Sequence, residues 1–176
     1  MKLTKSILVI FIFIIAVSAA SYAQDKDMMK KNMDKNEMMK KDKIMHKDTM
    51  MKIDKNMDGF AIKGFDPVSY FTNMKPEMGM TKFKFEWMGA NWQFTNKEHM
   101  DMFMKDPEKY APQFGGYCAF AASKNKLVHS DPSVWTIENG RLYLNVNSGA
   151  QKLFRKDLKK NIMMAEKNWP TLEMQK

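Results

Sequence analysis

The chain has one cysteine, Cys118, among its 176 residues. One thiol cannot form an internal disulfide. Histidine is almost as scarce, with only His46, His99 and His129, so few imidazoles are present for acid–base or metal chemistry. Aromatic residues are missing from the stretch between Tyr22 and Phe60, so no core can form there. The one unbroken apolar run, residues 7–17, is too short to span a bilayer comfortably. There is no glycine-rich phosphate loop, dinucleotide fingerprint or paired catalytic carboxylate motif. A Cys–His nucleophile would need an exposed Cys118 with a histidine in reach and a third group orienting it. Phe114, Tyr117 and Phe120 surround Cys118 in sequence and favour burial instead. The chain therefore reads as non-enzymatic.

The N-terminus reads as a secretory leader over residues 1–23. Lys2 and Lys5 precede the apolar run, and Ser21-Tyr-Ala23 supplies small residues at the −3 and −1 positions for cleavage. The expectation is an exported protein, periplasmic or secreted, with no stable membrane anchor once the leader is cleaved. Loss of its two lysines lowers the formal net charge from +9 to +7. In that compartment a basic surface meets an anionic envelope surface or a protein partner, not nucleic acid.

Residues 24–57 are low in complexity, with ten Lys, seven Asp or Glu and nine Met in 34 residues. Met-Met-Lys recurs at residues 28, 38 and 50. Such a segment cannot bury enough apolar surface to offset its ordering entropy, and a disordered arm is expected. Its donors suit soft-metal capture, because thioethers bind Cu(I) and need no deprotonation. The candidate ligands are Met28, Met29, Met38, Met39, Met45, His46, Met50 and Met51. An oxidant sink is a second reading, since methionine sulfoxide formation is reversible; a solvated linker is the third.

Patterned segments begin after the arm and define one domain over residues 58–172. Residues 82–87 and 91–94 alternate polar and apolar around Gly89-Ala90, which predicts a hairpin. Thr95-Asn-Lys-Glu98 has the spacing of a capping box with Thr95 as the N-cap. The helix it opens carries His99 at the edge of its apolar face and should end at Asp106-Pro107. Asp66-Pro67 and Asp131-Pro132 read as turns. Residues 134–137 and 141–146 flank Asn139-Gly140, a strong hairpin signal. Ser148 is placed to cap a last helix, and Pro170 to stop it. On that helix Ala150, Leu153, Phe154, Leu158, Ile162, Ala165 and Trp169 share a stripe. The fold class is α+β: a small single domain of antiparallel β-hairpins packed against short helices and a C-terminal helix, preceded by the arm.

The order of motifs resembles the YHS domain family in its longer, exported form. The match rests on Gly64-Phe-Asp-Pro-Val-Ser-Tyr-Phe71, the Gly89 hairpin, and residues 103–119 through Gly115-Gly-Tyr-Cys118. It continues through Asp131-Pro-Ser-Val-Trp135, Asn139-Gly-Arg-Leu-Tyr-Leu-Asn145 and Asn168-Trp-Pro170. Short members of that family, and the related TRASH domains, are metal-binding modules with a cysteine site. The resemblance places that site at Ser69, Thr95 and His99, of which only His99 is a good soft-metal donor, so the ancestral site is lost or rebuilt. A rebuilt site would join His99 to Cys118, with Met100 or Met102 as weak axial ligands. The expected function is soft-metal binding, with copper as the ion. The alternative is a scaffold module with a degenerate site that contacts an anionic surface or a protein partner.

Overall fold

The computed structural model of the chain describes residues 52–175. The leader and the arm up to residue 51 lie outside the described residues, and with them Met28, Met29, Met38, Met39, Met45, His46, Met50 and Met51. Six helices and two antiparallel hairpins make a mixed α+β domain.

Strand β1, Met80–Trp87, pairs with β2, Ala90–Phe94. Both residues of the connecting turn, Met88 and Gly89, have positive φ, at 50° and 68°, as a type I′ hairpin requires. Strand β3, Asp131–Glu138, pairs with β4, Arg141–Asn145, across the Asn139-Gly140 turn. Asp131-Pro132 opens β3 and is not a turn. The register shift between Asp131 and Trp135 accommodates the proline, which cannot donate to a ladder.

Helix α1 is Ser69–Thr72, α2 is Lys97–Lys105 and α3 is Pro107–Tyr110. Helix α2 ends where the Asp106-Pro107 step was expected to end it, and Pro107 then takes the first position of α3, where its missing N–H costs nothing. Helix α4 is Ala119–Ser123. Two helices follow where one was expected: α5, Ser148–Lys156, and α6, Leu158–Leu172. Asn147, not Ser148, caps α5 through its side chain to Ala150 N. The chain breaks at Asp157, and the buried Asn161 Nδ2 donates to Leu153 O and Phe154 O, each at 3.0 Å. That side chain satisfies carbonyls the broken helix leaves open. Pro170 does not end α6, which runs on to Leu172.

Phe103 of α2 sits in an aromatic cage, with ring centroids 5.1 Å from Trp92, 5.3 Å from Phe94 and 5.7 Å from Trp87. This is the first core. The second gathers Phe114, Tyr143, Phe154, Ala165 and Leu172 between β4 and helices α4, α5 and α6. Residues 111–118 run between the two. Packing also takes in residues ahead of position 58: Ile53 and Asp54 are buried. Asp54 N donates to Gly115 O at 2.8 Å. Gly115 has φ of 57°, and a Cβ there would lie 1.8 Å from Lys52 O, so only glycine lets the incoming segment lie this close.

Candidate functional site

Asp66 organises the positions that the family resemblance singled out. It follows Phe65 and precedes Pro67, and its Oδ1 accepts Val68 N at 2.8 Å, closing an Asx turn. Its backbone carbonyl accepts the Ser69 hydroxyl at 2.7 Å. Its Oδ2 accepts Thr95 N and Thr95 Oγ1, both at 2.8 Å, and faces His99 Nδ1 at 2.6 Å. Ser69, Thr95 and His99 therefore do come together, around a carboxylate that is fully buried. The turn signature of Asp66 was visible in the sequence; its role as a hub was not.

Three elements deliver these groups. The 64–69 turn brings Asp66 and Ser69, the end of β2 brings Thr95, and the first turn of α2 brings His99. Thr95 was expected to cap α2. Instead Asn96 caps it, accepting His99 N at 2.8 Å, which frees the Thr95 hydroxyl for Asp66. His99 was expected at the edge of a helix face; it is 6% exposed. Its Nδ1 faces the carboxylate, and its Nε2 lies 3.2 Å from Thr72 Oγ1. Both ring nitrogens are thus engaged, and a metal ion at Nε2 would have to displace the Thr72 hydroxyl.

Cys118 has other company. It is fully buried, its N–H donates to Val128 O at 2.9 Å, and its Sγ lies 3.8 Å from Asn145 Oδ1. It shares no hydrogen-bond partner with His99. Among the described residues no three His, Cys, Asp or Glu side chains form a group that could hold a metal ion.

A second aspartate–histidine pair lies on another face. His129 Nδ1 is 2.7 Å from the buried Asp54 Oδ1, and Ser130 N donates to Asp54 Oδ2 at 2.9 Å. His129 is exposed, and its ring lies 5.6 Å from that of Tyr117. Burial, then the Asp54 charge, pushes the Tyr117 phenol up. A groove of about 600 Å³ opens elsewhere, lined in part by Trp87, Phe114, Arg141, Glu166 and Trp169. It includes none of Asp66, Ser69, Thr95, His99 or Cys118.

The methionines are the residues that the structure places most unexpectedly. Methionine normally fills gaps in cores. Among the described residues none is fully buried, although Met88, Met100 and Met102 pack against the first core. Met57, Met74, Met78, Met80, Met104, Met163 and Met174 account for most of the large apolar side chains that are exposed.

Comparison with family models, with curated proteins and with solved structures gives no match.

Proposed function

We propose that the chain is an exported, non-enzymatic protein of YHS type that handles a soft metal ion, copper in the Cu(I) state, through methionine thioethers. The observation that carries this reading is the outward placement of methionine. Seven of the eleven methionines among the described residues are exposed, and residues 24–56 hold eight more. Exposed thioethers are neutral, soft donors that need no proton release to bind Cu(I). On this reading the arm captures the ion through Met28, Met29, Met38, Met39, Met45, Met50 and Met51, with His46 as an added donor. The Asp66 network holds the fold at the degenerate site, and His99 and Cys118 serve the domain's interior.

The test is a competition titration of the full-length protein for Cu(I) against a chromophoric chelator, beside a variant with the arm methionines changed to leucine. The proposal expects the protein to take copper from the chelator and the variant to retain much less. Equal retention would remove the arm from the account. No competition by the wild-type protein would remove the metal.

A scaffold role is the second reading, favoured by the way Asp66 occupies the centre of the ancestral site. It expects association with anionic vesicles that weakens steeply with salt and is unchanged by the leucine substitutions.

A further inference from the structure

We infer that the outer face of α6 docks on an anionic lipid bilayer, with Lys159, Lys160 and Lys167 as its charge contacts and Met163 as the apolar anchor among them. Such docking rests on the second reading above, contact with an anionic surface, and names the face that makes it. It does not depend on the soft-metal reading.

The charge of the described residues is unevenly placed. Residues 52–140 hold eleven Lys or Arg and eleven Asp or Glu, whereas residues 141–175 hold seven and three. The positive excess therefore lies wholly in the last segment, which contains α5 and α6. One of its three acids, Glu166, is already paired with Arg141 at 3.2 Å. Lys152, Lys156, Lys159, Lys160 and Lys167 are exposed. Among the described residues none of these five makes an ion pair.

Helix periodicity fixes the orientation on α6. Asn161, Ala165 and Leu172 are buried and mark its inner face. At 3.6 residues per turn, Met163 falls nearly opposite all three, and it is 59% exposed. It follows Lys159 by four positions and Lys160 by three, and it precedes Lys167 by four. Residues three and four apart are neighbours on a helix surface, so the thioether stands among three ammonium groups. Helix α5 repeats the pattern on a smaller scale: Leu153 is 51% exposed, beside Lys152 and three positions before Lys156.

This composition suits a bilayer better than a soluble polyanion. Lysine heads meet anionic headgroups while their stems lie along apolar surface, and each lysine near the membrane adds to the attraction. An apolar side chain on the same face enters the boundary between headgroups and acyl chains. A soluble polyanion would neutralise the lysines and leave Met163 in water.

The experiment sediments the full-length protein with vesicles of phosphatidylcholine and phosphatidylglycerol in equal parts, beside vesicles of phosphatidylcholine alone. The quantity read is the ratio of the two partition coefficients. The first variant carries Lys159→Gln, Lys160→Gln and Lys167→Gln. The second carries Lys82→Gln, Lys84→Gln and Lys105→Gln, which removes the same charge from exposed positions elsewhere. The third is Met163→Ser. All seven side chains are exposed, and circular dichroism checks that each variant folds. The wild-type ratio should lie well above one. The first variant should lower it on the order of 100-fold, the second far less, and Met163→Ser several-fold. If the first variant loses no more than the second, binding follows net charge; the α6 face is overturned and the anionic-surface reading stands. If Met163→Ser matches wild type, the contact is with charge alone and the bilayer is overturned as the partner. If the wild-type ratio is one, the face and the anionic-surface reading fail together.

Discussion

His99 and Asp66 meet across 33 positions of sequence, with His99 Nδ1 2.6 Å from Asp66 Oδ2 in a site closed to solvent. The same oxygen takes two further hydrogen bonds from Thr95. An amide at position 66 cannot accept all of them and turns donors toward donors. Asp66→Asn should therefore cost about 3 kcal/mol of folding stability, in the range for buried hydrogen bonds to a charged group. Thr95→Val removes only the hydroxyl and should cost about 1 kcal/mol. Urea midpoints at unchanged m would give both values. A loss for Asp66→Asn no larger than that for Thr95→Val would mean the carboxylate does not hold the network.

Gly115 and Gly140 make a second comparison. Both have positive φ, at 57° and 72°. Nothing lies within 4 Å of a Cβ on Gly140, whereas one on Gly115 would meet Lys52 O at 1.8 Å. Gly140→Ala carries the left-handed strain alone, about 1–2 kcal/mol. Gly115→Ala adds a backbone collision and should lower the melting temperature far more, because Lys52 and Ile53 must move away. Equal shifts in a thermal melt would contradict the close approach.

Cys118 is predicted to be inert in the native state. Its sulfur is fully buried, and labelling needs an exposed thiolate. A chromogenic disulfide reagent should react at the rate of unfolding and be complete at once in denaturant. Fast labelling without denaturant would mean that the thiol reaches solvent and would reopen its role as a ligand.

The tyrosines set the alkaline limit. Burial, followed by the charges of Asp131 and Asp66, pushes the Tyr70 phenol well above its ordinary value; burial also raises Tyr117 and Tyr143. A folded-state pKa above the unfolded value means that the unfolded chain loses its proton first. The stabilisation is fully present below pH of about 10 and is lost as pH rises above it. Tyr70→Phe also loses the bond from its hydroxyl to Pro132 O, 2.8 Å long. It should be less stable than wild type at neutral pH by about 1 kcal/mol, yet lose stability less steeply at high pH. Urea melts from pH 8 to 11 would show the two slopes; parallel slopes would exclude Tyr70 as the titrating group.

The two hairpins were legible because their signals are local: alternation along each strand, and Asn139-Gly140 at the second turn. The ends of α2 and α5 were legible only to within a residue. Thr95 and Ser148 carry capping side chains, but Asn96 and Asn147 took the role. Only the tertiary partner of Thr95, 29 residues away at Asp66, explains why its hydroxyl was needed elsewhere. The break at Asp157 was hidden for a similar reason. The apolar stripe runs on through it, and the buried Asn161 that caps α5 reads in sequence as one more polar residue. The candidate site was legible as three positions and not as a network, because Asp66-Pro67 announces a turn and nothing local announces its burial. The surface placement of methionine was illegible altogether, since methionine in a sequence counts as core-forming until the packing is seen.

The most direct test of the soft-metal account is X-ray absorption at the copper edge on full-length protein loaded with Cu(I) and desalted, beside Cys118→Ser treated the same way. The account predicts a first shell dominated by sulfur, with at most the one nitrogen of His46, that is identical in both samples, as thioether ligation requires. A shell of nitrogen or oxygen without sulfur, a sulfur shell lost with Cys118, or copper that does not survive desalting would contradict it.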